Sequence, residues 1–518
     1  MVAQDADRLQ DLVVVCKGGK VRNQGALLQG SSMTGTAVVL QNFEPSIEGG
    51  YRRIDGYSKY DSTEVPGTGP ILGIKVSPGL QQVFAARLKA DGTQVDIYKS
   101  VGIGWTKVNT SGQDSDAIKY RGISYSITEP AIIFCDGFGP AWKYTASGDV
   151  LINGSGAPTN PKFAEIHLAR LVLSGYGDGS SISISVPNDD EDFSTAGTVE
   201  INVGDTVTGL RKFRGILYIF CLNSIWELSG TSIEDFQLNS VTNDIGCISG
   251  DTIQEVGGDL IYLSAQGFRS LAATQRLNDL ELGIQSKEIQ PEIRQLITAT
   301  AYDENSYSSC VVASKSQYRM FLYDPDIATQ DAKGFIGHRV FEEDTLGYEW
   351  SNIAGFNCYC ADSAYYGREE MILHGDPSNG YVYRQERGNS RDGSNIFAVY
   401  TTPNIIFGNA ELRKVMHWMR LHTQVEGTLD LNLQLLFDAG DPSVLQPRVI
   451  DITSSGAVSV YGVAVYGTDT YSLTAEPNLR KNLTGAGLIV SFTFSSNDTN
   501  ASYRIDSFQI VFSPKGRR

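Results

Sequence analysis

The sequence lacks the features of membrane-spanning and secreted proteins. Its 518 residues include no apolar run of about 18, the length that indicates a membrane-spanning helix, so we expect no membrane-spanning segment. The opening residues, MVAQDADRLQDLVVV, show no basic segment followed by an apolar stretch and a cleavage site, so we also expect no secretory signal peptide. Both absences favour a protein that is made in a reducing cytoplasm.

Cysteine is scarce and odd in number. Most of the seven cysteines stand alone in apolar strand-like runs such as IIFCDG and LYIFCLNS. We therefore predict buried free thiols. The pair Cys358 and Cys360 is too closely spaced for a usual zinc site and has no histidine near it in sequence. The complete set is Cys16, Cys135, Cys221, Cys247, Cys310, Cys358 and Cys360.

Residue patterns that carry catalysis are also missing. The chain has only five histidines and contains no HExxH, GxSxG or GxxxxGK[ST] motif. The densest acidic cluster, PNDDEDF from Pro187 to Phe193, has consecutive acids and no glycine for the bend of a calcium loop. We therefore predict no enzymatic activity, no cofactor and no metal site.

Positive charge is in deficit. Lysine and arginine total 42 against 59 acidic residues, which gives a formal net charge of −17. The electrostatic field of a net negative charge repels phosphate, which argues against a protein that binds nucleic acid tightly. The best basic stretches, LRKFRG (Leu210 to Gly215) and ELRKVMHWMR (Glu411 to Arg420), are interpreted as the rims of sheets.

Glycine and aromatic residues, by contrast, are abundant. The chain has 54 glycines, 25 tyrosines and 21 phenylalanines, a composition typical of short strands joined by turns. From residue 66, strand candidates recur about every eight to twelve residues, with turn signals such as Asp91-Gly92, Asp178-Gly179 and Gly257-Gly258. Repeated groups of three or four strands predict a β-propeller of six or seven blades over residues 66–395. A pair of β-sandwiches would give a similar rhythm and stays an alternative.

The two ends of the chain differ from this repeat. Residues 1–65 hold the strand patterns DLVVVC and TAVVLQNF, which we expect to close the propeller or to contact neighbours. Residues 396–518 contain long alternating runs such as LDLNLQLLF, AVSVYGVAVYG and LIVSFTF, which predict a C-terminal antiparallel β-sandwich, or platform domain. One helix is predicted at QPEIRQLI, Gln290 to Ile297, where Pro291 suits a first helical turn. The fold class is therefore all-β.

A tyrosine- and arginine-rich segment, EGGYRRIDGYSKYD, is unusual in an acidic chain. Asp55-Gly56 predicts a two-residue hairpin turn that would set Ile54 opposite Tyr57. Either this is an ordinary surface hairpin with a solvated basic face, or Arg52 or Arg53 meets an acidic partner in another subunit or in the same chain.

Several segments, taken in order, resemble the propeller-bearing tail nozzle or tail hub proteins of short-tailed bacteriophages. The resemblance covers most of the chain and consists of strand and turn patterns, with no catalytic residues to transfer. The segments are NFEPSIEGGYRRIDGYSKYD, RLVLSG with ISISVPNDDEDF, LYIFCLNSIWELSGTSIEDFQLNSVTNDIGCISGDTIQEVGGDLIYLSAQGFRSL, TTPNIIFGNAELRKVMHWMRL and YRIDSFQIVFSPKGRR.

This resemblance implies a structural virion protein. It implies a homohexameric ring below the portal and adaptor proteins, with propellers at the periphery and loops that line and gate a channel for ejected double-stranded DNA. Portal-adaptor proteins and tail fibre or tail tip proteins would be its partners. The protein would reside in the virion tail after assembly in the bacterial host cytoplasm.

The resemblance also gives the tyrosine- and arginine-rich segment a role. Tyrosine and arginine supply area and charge-assisted hydrogen bonds at buried subunit contacts, so Tyr51, Arg52, Arg53 and Tyr57 are predicted to lie at a subunit or adaptor contact.

Two other functions stay open. One is a glycan-binding or glycan-cleaving propeller at the host surface, and the other is a protein-interaction propeller of a cell. A glycan site should expose several tryptophans on one face. The five tryptophans mostly lie inside strand runs, which predicts core positions; they are Trp105, Trp142, Trp226, Trp350 and Trp418.

Overall fold

The computed structural model describes residues 9–271, 283–299, 302–326, 331–342, 345–454 and 479–515. These ranges form an all-β protein with a propeller and a two-layered sandwich. No helix within them is both long and apolar enough to cross a membrane.

Short elements begin the chain, and they are divided between the two parts of the molecule. Four of the first five strands belong to the sheets of the sandwich, and the fifth belongs to the propeller. The elements are β1 (Gln10–Val15), α1 (Ala26–Ser32), β2 (Val39–Gln41), β3 (Phe43–Pro45), β4 (Tyr51–Arg53) and β5 (Tyr57–Lys59).

Four antiparallel four-stranded sheets then follow in sequence order, each made of consecutive strands. Blade 1 contains β6 (Thr68–Ser77), β7 (Gln82–Leu88), β8 (Val95–Ser100) and β9 (Trp105–Lys107). Blade 2 contains β10 (Arg121–Ser126), β11 (Pro130–Cys135), β12 (Ala141–Thr145) and β13 (Gly148–Ile152). Blade 3 contains β14 (Phe163–His167), β15 (Arg170–Ser174), β16 (Ser181–Ile184) and β17 (Val199–Asn202). Blade 4 contains β18 (Val207–Phe213), β19 (Ile216–Cys221), β20 (Ile225–Ser229) and β21 (Gln237–Thr242).

Three further units complete the ring. Blade 5 contains β22 (Gln254–Val256), β23 (Asp259–Ser264) and β24 (Gly267–Ser270). Blade 6 contains β25 (Tyr307–Val312), β26 (Gln317–Leu322), β27 (Lys333–Glu342) and β28 (Thr345–Ala354). Blade 7 contains β29 (Cys360–Tyr366), β30 (Glu369–Gly375) and β31 (Val382–Gln385), and takes β5 as its outermost strand.

The ring closes through its innermost strands. Strand β6 contacts β10, β10 contacts β14, β14 contacts β18, and β29 contacts both β25 and β6. Between blades 4 and 6, the helical turn Gly250–Thr252 contacts β18 and β25. Six blades are separate sheets, and blade 6 is one end of a larger ten-stranded sheet. The predicted propeller of six or seven blades is confirmed, and the pair of sandwiches is excluded.

The predicted helix is confirmed. It forms α2 (Gln290–Thr298), with Pro291 in its first turn. Its buried residues Ile293 and Leu296 pack in the same cluster as Phe268 of blade 5 and Trp350 of blade 6. The helix therefore fills the space beside two neighbouring blades.

The C-terminal region is a sandwich of two antiparallel sheets, as predicted. Its strands are β32 (Ile396–Thr401), β33 (Ile405–Ile406), β34 (Arg413–Val425), β35 (Leu429–Phe437), β36 (Ile450–Ser454), β37 (Leu479–Asn482), β38 (Ala486–Gly487), β39 (Ile489–Asp498) and β40 (Tyr503–Lys515), together with β1 to β4. One sheet has the order β3-β4-β40-β34-β37, with β1 also paired to β40 and β38 to β34. The other sheet has the order β2-β32-β39-β35-β36 and continues into blade 6, because β2 pairs with β28.

The sandwich core follows from strand alternation. In β35, the sequence LDLNLQLLF buries Leu429, Leu431, Leu433 and Leu435 and exposes the polar residues between the leucines. These leucines pack against aromatic side chains of the facing sheet, such as Phe508, in one cluster. The run AVSVYGVAVYG, residues 457–467, lies outside the described residues.

The cysteine prediction is confirmed as well. All seven thiols are free and buried. Burial raises the pKa of the Cys16, Cys310 and Cys360 thiols to about 12, so they stay protonated near neutral pH. They serve as apolar core groups.

Candidate functional site at the propeller–sandwich junction

The tyrosine- and arginine-rich segment crosses from the sandwich into the propeller. Strand β4 pairs with β3 and β40, whereas β5 pairs with β31 of blade 7. The prediction of a hairpin at Asp55-Gly56 is therefore wrong. The true hairpin joins β3 to β4 through residues 46–50, which include Gly49 and Gly50 with φ angles of +91° and +78°.

Gly56 has a different reason to be glycine. A Cβ at this position would lie 1.9 Å from the carbonyl oxygen of Ser390. The glycine therefore lets the linker pass close to the loop that follows blade 7, and its amide donates to the carbonyl of Gly388.

Two of the four predicted contact residues are buried within this chain. The Tyr51 hydroxyl donates to the carbonyl of Gly35 at 3.0 Å, and its ring packs edge-on against Tyr400. Arg53 is 1% exposed and forms an ion pair with Asp498, with 2.7 Å between Nη1 and Oδ1. The structure thus gives both side chains intramolecular partners, and neither is accessible to a second subunit.

Tyr57 is also an internal residue. Its ring centroid lies 5.0 Å from those of Phe356, His374 and Tyr383. Burial raises the pKa of Tyr57 to about 12 and lowers that of His374 to about 3. This aromatic cluster anchors β5 to blade 7 through apolar packing.

Arg52 alone of the four reaches a surface. Its guanidinium binds Asp55 with two hydrogen bonds of 2.8 and 2.9 Å, a bidentate geometry. It also contacts Glu426 at 3.0 Å and Glu44 at 3.4 Å. A contact of Arg52 with a partner stays a prediction.

Arg52 belongs to a larger set of charges, which we call the junction cluster. Lys315 lies 2.7 Å from Glu44 and 3.4 Å from Asp55, and it also pairs with Glu386. Arg319 lies 3.2 Å from Glu44 and 2.6 Å from Glu386. The cluster comprises Glu44, Arg52, Asp55, Lys315, Arg319, Glu386 and Glu426, from the sandwich, the linker and blades 6 and 7.

The cluster lowers the pKa of two of its carboxylates and raises the pKa of its three cations. Burial alone would raise the pKa of the Glu44 carboxyl, but Lys315, Arg319 and Arg52 outweigh it and hold that pKa below its ordinary value. Burial is outweighed in the same way at Asp55, whose pKa is lowered by Arg52 and Lys315. The carboxylates in turn raise the pKa of Arg52, Lys315 and Arg319, against the effect of burial.

These charges suit a structural role. Each of the four carboxylates of the cluster contacts at least one of its three cations. Because removing one partner of a buried ion pair leaves an uncompensated charge, each member holds the others in place. The cluster therefore fixes the orientation of the propeller relative to the sandwich.

An open cavity of about 380 Å³ lies beside the junction cluster. Its wall includes Arg52, Lys315 and the buried His338, whose pKa is lowered by burial. At its rim, the tip of the β3–β4 hairpin leaves Ile47 67% exposed. The cavity and this apolar tip form a surface that a partner can contact.

Sequence reasoning missed the blade residues of the cluster. Lys315, Arg319 and Glu386 are distant in sequence from the segment that singled out Arg52. One signal was available: Arg319 stands inside QYRMFL, a strand in which all six residues are buried. A charged residue in such a run indicates a buried partner.

The described part of the chain shows no catalytic metal arrangement. Within those residues, no three His, Cys, Asp or Glu side chains are grouped so that they could hold a metal ion. Of the five tryptophans, Trp142 and Trp350 are core residues with 1% exposure each.

Comparisons with known proteins found no matching family model and no matching curated protein. Among solved structures, the AfRom2 CNH domain is similar over 64% of this chain and 100% of its own, with 12% identity and a TM-score of 0.37. BBS1N in complex with ARL6DN matches 64% of this chain and 98% of its own, at 10% identity and a TM-score of 0.35. Kluyveromyces lactis Hsv2 matches 56% of this chain and 100% of its own, at 12% identity and a TM-score of 0.29. These likenesses assign no family to the chain.

Proposed function

We propose that this chain is a structural subunit of the tail nozzle or tail hub of a short-tailed bacteriophage, where copies form a ring around the channel for ejected DNA. The proposal is supported first by the ordered sequence resemblance, whose segments fall in the junction, in blades 3 to 5 and in the sandwich. It includes no enzymatic activity.

The observation that carries the proposal is the junction. The segment that opens the resemblance, Asn42 to Asp61, contains β3, β4 and β5 and supplies three members of the junction cluster. Together with the sheet shared by blade 6 and the sandwich, it joins the two domains into one connected unit. A ring subunit that bears load during DNA passage needs such a unit.

The charge of the chain is also favourable. A net charge of −17 gives a surface that repels phosphate. Because each phosphate that a protein neutralises adds affinity, an acidic wall lets DNA pass with little adhesion.

We expect the tip of the β3–β4 hairpin to lie at a contact between copies or with the adaptor. This surface combines exposed Ile47 with the mixed charges of Arg52, Glu48 and Glu426 around the cavity, a composition suited to a partner. The glycan alternative gains no support here, because Trp105 and Trp226, the two remaining propeller tryptophans, lie on separate blades.

The test is the mass distribution of the purified protein by mass photometry. We expect a hexamer for the natural chain, and a shift toward monomer for Ile47→Asp. The matched control is Ile103→Asp in the loop between β8 and β9 of blade 1, which replaces an isoleucine that is 83% exposed and does not line the junction cavity. Equal hexamer fractions for the two variants would show that the hairpin tip does not lie at the contact. A natural chain that is monomeric would contradict the proposed ring.

A further inference from the structure

A second cavity, of about 170 Å³, lies on the axis of the propeller. Residues from all seven blades line it, because it is bounded by the innermost strands and the segments that lead into them. It is separate from the junction cluster and has no part in the function proposed above.

The charge of this axial cavity is opposite to that of the chain. Four cationic side chains line it against two carboxylates, so its formal charge is 4 − 2 = +2, in a chain of −17. The cations are Lys75, Lys119, Arg121 and Arg211, and the carboxylates are Asp251 and Asp362.

One carboxylate is shared by two cations. Asp251 lies 3.2 Å from Lys119 Nζ and 2.9 Å from Arg121 Nη2. Burial would raise the pKa of Asp251, but Arg121 and Lys119 lower it below its ordinary value, so the carboxylate is charged and neutralises one of the two cations. Lys75 is paired separately with Asp362 at 2.9 Å.

Donors remain free at this site. Arg121 stacks on the Phe163 ring at 5.1 Å and uses Nε and Nη2 for protein acceptors, but its Nη1 has none among the described residues. Arg211 lines the cavity without a carboxylate partner in the described part of the chain. A guanidinium with free N–H groups matches the oxygens of phosphate or carboxylate.

An excess positive charge at a partly enclosed site favours a counter-ion, because leaving buried charge unpaired is costly. At about 30 Å³ per water, the cavity holds several waters or one small oxyanion. The excess positive charge also draws anions toward the opening of the cavity.

We propose that the axial cavity of the propeller binds a small anion through phosphate or carboxylate oxygens, with Arg211 and Arg121 as its principal donors. The anion comes either from solution or from an acidic side chain that a partner protein inserts.

The test is isothermal titration calorimetry of the full chain at constant ionic strength, with inorganic phosphate, glutarate and a short glutamate-rich peptide as separate probes. We expect at least one probe to bind with one site per chain, and Arg211→Gln to weaken that binding at least fivefold. The control is Lys212→Gln, which removes the same charge from the next residue of β18, where the side chain is exposed and does not line the cavity.

The outcomes are distinct. Tighter binding of phosphate or glutarate identifies a soluble ligand, and tighter binding of the peptide identifies a protein partner. Binding of none of the probes, or equal affinity of Arg211→Gln and Lys212→Gln, would overturn the proposal. Circular dichroism and thermal melting of both variants establish that they are folded.

Discussion

At the scale of single residues, the junction depends on charges that have lost most of their water. Arg319 is 1% exposed and contacts both Glu44 and Glu386. A buried ion pair adds little net stability over apolar packing, but breaking it by removing one partner is costly. We therefore expect the loss of the Arg319 guanidinium to destabilise the junction.

We predict that Arg319→Met lowers the free energy of unfolding by about 3 to 5 kcal/mol, because the buried Glu44 and the partly buried Glu386 both lose a cation. The control is Arg387→Met, which removes a half-exposed guanidinium paired with Glu369 and should change stability by about 1 kcal/mol or less. Urea unfolding followed by tryptophan fluorescence measures both. Equal effects of the two substitutions would contradict the structural role of Arg319.

Glu44 gives the junction a pH dependence of defined sign. Its pKa is lowered in the folded protein, so its contribution to stability is present above the unfolded value of about 4.3 and is lost as the pH falls through the folded value. We predict that Glu44→Gln is less stable than the natural chain at pH 7 and that the difference shrinks below about pH 4. Urea unfolding between pH 3 and pH 7 tests this, and a difference independent of pH would contradict it.

At the scale of elements, β5 joins the first part of the chain to the last blade. Tyr60 N–H donates to the carbonyl of Val382 in β31, so alternation directs the Ser58 N–H toward β31 and the Lys59 N–H away from it. The edge of blade 7 therefore depends on Ser58 for a ladder hydrogen bond.

We predict that Ser58→Pro lowers the free energy of unfolding by at least about 1 kcal/mol more than Lys59→Pro, because only the first proline removes a ladder hydrogen bond. Thermal unfolding of both variants measures the difference. If Lys59→Pro lowers the free energy of unfolding as much as Ser58→Pro, the hydrogen-bond pattern between β5 and β31 is contradicted.

The elements also show what sequence could predict. The alternation in LDLNLQLLF and the Gly257-Gly258 turn, where both φ angles are positive, identified strands and a hairpin from local chemistry alone. The hairpin predicted at Asp55-Gly56 was wrong because a dipeptide that favours a hairpin also suits a linker that passes close to another backbone. The pairing of Glu44 with Arg319 spans 275 positions, and no local pattern specifies such a contact.

At the scale of the whole molecule, propeller and sandwich share a sheet. Strand β2 pairs with β28 of blade 6 on one side and with β32 of the sandwich on the other, so backbone hydrogen bonds run from one domain into the next. The junction cluster adds charged contacts at the same boundary. The propeller and the sandwich are therefore joined by backbone hydrogen bonds as well as by charged contacts.

The most direct test of the proposed ring is electron microscopy of the purified natural chain. We expect closed six-fold rings with a central opening and propellers at the periphery. Single particles that hold one propeller and one sandwich at every concentration examined, with no closed ring, would contradict it.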